Sequence, residues 1–180
     1  MLFEDMESAS SMAGAPSAFQ HLWTPHRMVY LKTGQQPADE DCPFCLAVEK
    51  SDEDGLIFHR GEHAYALLNL FPYNPGHVLI CPYRHIASYE EASPAEAAEI
   101  AAITQKCMKV LRSVSGAHGF NIGMNQGEVA GAGIAGHLHQ HIVPRWRNDA
   151  NFLPIIAQTK AMPQLLGEVR AQLAAGWDAS

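Results

Sequence analysis

His137-Leu138-His139-Gln140-His141-Ile142-Val143 decides the reading of this chain. If the run is a strand, side chains alternate across the sheet, so His137, His139 and His141 share one face while Leu138, Gln140 and Ile142 share the other. Three imidazoles then stand in a row. One reading is a surface or metal-chelating histidine patch; the other is a nucleophile beside an anion pocket. The residues leading in favour the second. Gly127-Glu128-Val129-Ala130-Gly131-Ala132-Gly133 runs up to the histidines, and glycines let backbone N–H groups approach phosphate oxygens with no Cβ in the way. Neutral imidazole attacks phosphorus at physiological pH, and a neighbouring hydrogen-bond acceptor fixes which ring nitrogen presents its lone pair.

Working outward, Phe120 to Asn125 reads as a strand ahead of the glycine loop. Ser93-Pro94-Ala95-Glu96 supplies an N-cap, a proline at the first helical position and a capping-box glutamate. Ala97, Ile100, Ala101, Cys107, Met108, Leu111 and Val114 follow at helical spacing, which predicts one long helix ending near Gly116. Leu56 to Phe58, His63 to Leu70 and His77 to Cys81 are short apolar runs punctuated by Gly61 and by Pro72-Tyr73-Asn74-Pro75-Gly76, the pattern of successive antiparallel strands. Ala161 to Ala175 predicts a terminal helix. A helix inserted in an antiparallel meander gives an α+β fold, a sheet of about five strands with helices on one side. No internal repeat is present.

With 180 residues, 47% of them hydrophobic, the chain is long enough for one good core. A formal net charge of −7 argues against binding duplex nucleic acid, which asks for a basic face, so any anionic ligand is met locally. No apolar run approaches the ~20 residues that cross a bilayer, and the acidic start, Met1-Leu2-Phe3-Glu4-Asp5-Met6-Glu7, is unlike a secretory signal. The expected compartment is the cytoplasm. Residues 1–18 read as a disordered tail, and 19–41 as an arm and loop, with Phe19 to Leu31 aromatic enough to dock on the domain or a partner subunit. Residues 42–180 read as a single domain.

Cys42-Pro43-Phe44-Cys45 places two thiolates so that one tight turn brings both to a tetrahedral metal. A redox pair and a buried turn are the alternatives. Cys81 and Cys107 have no such spacing.

The histidine run resembles the signature of the histidine triad family, three histidines separated by single, mostly apolar residues. Gln140 departs from that pattern on the face turned away from the triad, so it bears on packing or subfamily rather than chemistry. The resemblance covers roughly Cys42 to Phe152. Asn69 through His77 is similar to the family's strand-turn-strand ending in Pro-Gly-His, and Asn125 with the glycine loop resembles the segment before the triad. More narrowly, Leu22-Trp23-Thr24-Pro25-His26-Arg27-Met28, His137 through Trp146 and Asp149-Ala150-Asn151-Phe152 resemble the actinobacterial diadenosine tetraphosphate phosphorylase-like branch.

The resemblance implies that His139 is the nucleophile, forming a covalent nucleotidyl intermediate, and that His141 binds phosphate in the pocket, another nearby histidine serving the leaving group. It implies that Asn69 bonds the ribose hydroxyls, that His77 sits beside the site, and that Asn125, Gln126, Gly131 and Gly133 line the phosphate path. Turn capping by Asn69, and plain loop geometry for Gln126 and the glycines, stay open. Zinc-bearing members draw ligands from positions that match Cys42, Cys45, His85 and His137. A structural zinc there makes His137 structural and His139 chemical, ties the N-terminal turn to the catalytic strand, and leaves Cys81 and Cys107 as core residues. Catalytic magnesium stays open. A homodimer or higher homo-oligomer is expected, by analogy with members that pair helices and extend the sheet.

The implied reaction is nucleotidyl transfer on a dinucleoside polyphosphate: phosphate as acceptor makes a phosphorylase, water a hydrolase. A nucleoside phosphoramidate or aminoacyl-adenylate suits the same nucleophile. A nucleotide-binding regulator with negligible turnover is the reading from another class, and the presence of His139 favours the enzyme. Trp146 is open between base stacking, helped by Arg145 or Arg147, and packing. His21, His26, His59, His63 and His118 default to surface or capping roles, and Glu90 and Glu91 to a solvated helix approach.

Overall fold

A computed structural model describes residues 41–147, 149 and 164–179. The expected tail, the arm up to residue 40 and residues 161–163 of the expected terminal helix lie outside them. The elements are α1 (Pro43–Val48), β1 (Ile57–Arg60), β2 (Ala64–Leu68), β3 (Val78–Pro82), α2 (Pro94–Ser115), β4 (Gly119–Met124), β5 (Gln140–Arg145) and α3 (Leu166–Asp178), with short 3-10 turns at Tyr89–Glu91 and Glu128–Ala130.

The α2 helix starts where its caps dictate. The Ser93 side chain accepts from the Glu96 N–H, the Glu96 carboxylate accepts from the Ser93 N–H, and Pro94 opens the first turn. Gly116 ends it at φ 64°, a left-handed conformation that glycine adopts without a Cβ clash. The terminal helix begins at Leu166 and runs to Asp178, later at both ends than its sequence pattern predicts.

Five antiparallel strands form one sheet in the order β1-β2-β3-β5-β4. The chain is therefore no simple meander after β3: α2 carries it past the sheet to the far edge, and β5 returns to fill the place beside β3. The histidine strand thus lies inside the sheet, with Val78 opposite Ile142 and Leu79 opposite His141.

The strand expected from His137 to Val143 joins the ladder only at Gln140. His137 through His139 run ahead of it, and the Leu138 N–H is spent on the Ile86 carbonyl instead of a strand partner. Alternation of faces nevertheless holds through the run. Leu56, expected to open a strand, sits at φ 56° in the turn before β1.

Helices on one side alone is also corrected. Ala64, Ala66, Leu68, Val78, Ile80 and Ile142 pack on one face with Ile100, Ile103, Cys107, Val110 and Leu111 of α2 and Val169, Leu173 and Trp177 of α3. Tyr65, Leu67, Leu79 and Cys81 point the other way, onto Cys42, Phe44 and Ala47 at α1. Every residue of β2 and β3 is buried, so these strands are apolar at both parities and need cover on both faces. The triad opens on the α1 face. Among the described residues no helix is long and apolar enough to cross a membrane.

Candidate active site and metal centre

Two backbone groups and one histidine set the protonation pattern of the site. His139 Nδ1 lies 2.8 Å from the His137 carbonyl oxygen, which only accepts, so Nδ1 carries the proton and Nε2 the lone pair. On the other side, His77 Nδ1 receives the Tyr73 N–H at 3.1 Å and faces Asn69 Nδ2 at 3.3 Å. His77 Nε2–H therefore donates to His141 Nδ1 at 2.9 Å, and neutral His141 carries its own proton on Nε2. His77 is 0% exposed and His139 6%. Burial pushes the His139 imidazole below its ordinary pKa, opposed by the His137 carbonyl, so the ring stays neutral at pH 7. The His139 and His141 rings meet edge-on, centroids 5.0 Å apart. A lone pair on one and an N–H on the next give a nucleophile beside a donor.

Asn69 behaves first as a turn residue: its Oδ1 accepts from the Phe71 N–H at 3.0 Å while its amide nitrogen faces His77. Gly76, at φ 70°, makes the turn that delivers His77. Tyr73 stacks over His141, centroids 5.8 Å apart, and packs against His77 at 4.7 Å with the rings tilted by 40°. Gln126 Oε1 accepts from the Tyr89 N–H at 2.6 Å, tying the loop after β4 to the turn before α2. Asn125 is half-buried just past β4. Gly127 and Gly131 take φ 76° and 83°, and a Cβ on exposed Gly133 would meet nothing within 4 Å. These turns fold the loop on itself, the Ala130 and Ala132 N–H groups both donating to the Gly127 carbonyl.

Cys42, Cys45, His85 and His137 form a group whose ligand atoms all lie within 4.8 Å of one another. The Sγ to Nδ1 distances are 3.4 Å (Cys42–His137), 3.5 Å (Cys45–His137) and 3.3 Å (Cys45–His85). A tetrahedron with zinc–sulfur about 2.3 Å and zinc–nitrogen about 2.0 Å has sulfur–nitrogen edges of about 3.5 Å, so the donor set fits that ion. His137 Nε2–H donates to the Pro82 carbonyl at 3.0 Å, which turns its Nδ1 lone pair to the cysteines. Burial brings the His137 pKa down to about 4, keeping it a neutral ligand. Cys81 and Cys107 are buried thiols in β3 and α2 with pKa values pushed up by burial, as core residues should be.

Two residues at the site escaped the sequence reading. Phe44, between the two cysteines, packs its ring 4.9 Å from His139, and Tyr73 supplies the N–H that fixes His77. Both positions were bracketed in the sequence, by the cysteine pair and by the Pro-Gly-His turn, but nothing local says where a ring points. Trp146 is half-buried, and its indole N–H donates to the Ser115 carbonyl at the end of α2. Arg145 spends its guanidinium on Asp149 and Asn121 rather than on the indole. His59 stacks on Trp177, His118 accepts the Arg147 N–H, and Glu91 caps the turn after Ser88.

A histidine triad, a glycine loop and a fourth histidine just before the facing strand define a class. The HIT domain family model matches residues 50–148, and the chain belongs to this family, the histidine triad proteins. Among individual relatives, the chain is similar to the AP-4-A phosphorylase of Mycobacterium tuberculosis (strain ATCC 25618 / H37Rv), 46% identical over 170 residues, 91% of this chain and 87% of the relative. Solved structures with the same fold include a Zn-bound histidine triad family protein from Mycobacterium smegmatis (TM-score 0.63, 23% identity, 79% of this chain and 96% of that one). A hypothetical histidine triad nucleotide-binding protein from Sulfolobus tokodaii strain7 is another (TM-score 0.62, 26% identity, 77% and 93%).

Proposed function

We propose that the chain is a nucleotidyl-transferring enzyme acting on dinucleoside polyphosphates, with inorganic phosphate as the preferred acceptor. The observation that carries this is the 2.8 Å contact between His139 Nδ1 and the His137 carbonyl, which leaves Nε2 as a nucleophile within a buried site. In the first step the Nε2 lone pair attacks the α-phosphorus. A P–N bond forms, the P–O bond to the leaving nucleotide breaks, and its electrons stay on the leaving oxygen. In the second, a phosphate oxygen attacks the same phosphorus and the P–N electrons return to His139. The His141 Nε2–H, set by His77, donates to the phosphoryl oxygens as charge develops, and the Gly127–Gly133 loop, whose Ala130 and Ala132 N–H groups are already spent on the Gly127 carbonyl, borders the remaining phosphates. Asn69 is assigned to the ribose hydroxyls, and Asn125, Gln126, Gly131 and Gly133 to the phosphate path. The phosphorylase name carried by the 46% identical relative supports the choice of acceptor.

Cys42, Cys45, His85 and His137 would hold zinc, which supplies no step of the reaction and fixes the orientation of the catalytic segment. Free cysteines throughout the described residues suit a reducing compartment, and the reading places the enzyme in the cytoplasm. The edge strand β4 exposes Asn121, Ile122 and Gly123, a surface suited to pairing with a second copy.

The test uses diadenosine tetraphosphate, with and without inorganic phosphate, on the protein and on His139→Ala, with products resolved by chromatography. ADP plus ATP appearing only with phosphate, and not in His139→Ala, is the expected outcome. AMP plus ATP regardless of phosphate makes water the acceptor, and turnover surviving in His139→Ala refutes the nucleophile.

A further inference from the structure

Phe44 stands at the junction of the metal centre and the catalytic histidine. Its ring lies 4.9 Å from the His139 ring at an interplanar angle of 42°, and 5.5 Å from His137, edge-on. Its backbone is fixed independently. Cys42 and Cys45 flank it, and its carbonyl accepts the Tyr65 hydroxyl at 2.7 Å from within the β2 core. The single hydrogen bond from His139 Nδ1 to the His137 carbonyl defines one edge of the imidazole but leaves the ring free to tilt about that bond. A ring packed against the imidazole removes the tilt, and Phe44 is 6% exposed, so it has little room to yield.

We propose that Phe44 is the positioning residue for His139, and that the Cys-X-X-Cys turn serves the reaction by delivering this ring. Holding Cys42 and Cys45 together fixes Phe44. Phe44 and the His137 carbonyl together then fix the plane and the tautomer of the nucleophile. The metal ligands reach His139 by two routes, through the backbone of His137 and through the phenyl ring, and only the second runs through a side chain that can be changed without touching a ligand. The inference rests on His139 being the nucleophile.

The experiment uses the full-length, metal-loaded protein and its Phe44→Leu variant, with Phe44→Met as a second variant closer to phenylalanine in reach. Metal content and melting temperature establish that each variant is folded and loaded. Two readouts follow: rapid-quench formation of the nucleotidyl-protein adduct from diadenosine tetraphosphate, with steady-state kcat and KM, and 15N NMR of labelled histidines, which reports the His139 tautomer. A positioning role predicts kcat and the adduct-forming rate lower by about 10- to 100-fold with KM within about 2-fold, and His139 signals moved from the pure Nδ1–H form toward a mixture. Stripping the metal from the wild type moves those signals the same way. Unchanged rates with an unchanged tautomer overturn the proposal. So does a raised KM with kcat intact, which makes the ring a substrate contact instead. Absence of any adduct in the wild type, with the tautomer still shifted by Phe44→Leu, removes the nucleophile reading and leaves the positioning of the ring standing.

Discussion

Gln140 offers the sharpest test of how the strand divides its labour, because it is polar where the pattern of the run asks for an apolar residue. Its amide reaches not the triad but α2: Gln140 Nε2 donates to Thr104 Oγ1 at 2.6 Å, and the Thr104 hydroxyl donates to the Ile100 carbonyl at 2.6 Å. The chain is complete only with both side chains. Thr104→Val leaves a half-buried amide without its acceptor and costs about 1–2 kcal/mol. Gln140→Leu removes the amide while Thr104 keeps its bond to Ile100, so it costs about 0–1 kcal/mol. The double variant strands no donor, so it is less damaged than the sum of the singles, with a coupling of about 1 kcal/mol. Urea unfolding of the four metal-loaded proteins at pH 7, compared at equal m, measures that coupling. Turnover of diadenosine tetraphosphate stays within about 2-fold of wild type in Gln140→Leu, since the side chain faces α2. Additive stabilities, or a large fall in kcat in Gln140→Leu, would refute the assignment of this residue to packing.

Removing the metal with a chelator at pH 7 lowers the melting temperature, and zinc restores it where magnesium does not, because two thiolates and two imidazoles make a soft donor set; an unchanged melting curve after verified metal loss contradicts this. Gly176→Ala brings a Cβ to 2.8 Å from Val114 Cγ1 and 3.1 Å from Val110 Cγ1, pushing α3 off α2. The overpacking costs about 1–3 kcal/mol against about 1 kcal/mol of helix propensity gained, a net loss that calorimetry reads as a lower melting temperature and that Val114→Ala relieves. Glu96, bonded first by Arg84 and then by Ser93, has its pKa held down to about 2 from an ordinary 4.5. A depressed carboxylate stabilises the fold above its unfolded value, so this contribution is present above pH 4.5 and disappears between 4.5 and 2. The gap in urea midpoint between wild type and Glu96→Gln should close over that window, and a gap that stays constant down to pH 2 rules the ion pair out as its source.

What the sequence revealed best was what local chemistry decides. Ser93, Pro94, Glu96 and Gly116 mark both ends of α2, and the parity of the histidine run puts three imidazoles on one face. The four metal-site positions, taken from a resemblance, also come together in space, although His85 and Cys45 are 40 residues apart. Less was legible wherever a partner distant in sequence decides. The ladder begins at Gln140 rather than His137 because Ile86 claims the Leu138 N–H, and nothing in the run announces Ile86. The second covered face of the sheet was missed because β2 and β3 are apolar at both parities, and such runs show burial without showing what buries them. Asn69 makes the i, i+2 turn contact to the Phe71 N–H that its residue type allows, whereas Gln126 bonds the Tyr89 N–H 37 residues away, which no spacing rule supplies.

Two histidines next but one in the run, His139 just ahead of β5 and His141 within it, end up with opposite ring polarity, and this explains how an acidic chain can host polyanion chemistry. With a formal charge of −7, the protein cannot rely on a broad positive field to gather phosphates. It uses direction instead. The His137 carbonyl takes the Nδ1 proton of His139 and leaves a lone pair outward, while His77, itself fixed by the Tyr73 N–H, occupies the Nδ1 of His141 and leaves a proton outward. On this hydrogen-bond pattern one ring presents a lone pair and the other an N–H. The burden of preparing the site therefore falls on backbone groups, whose positions are set by the β2–β3 turn and by the segment around His137. The Tyr73 N–H on His77 and the Phe44 ring against His139 are therefore the contacts, outside the triad itself, on which this division of labour depends.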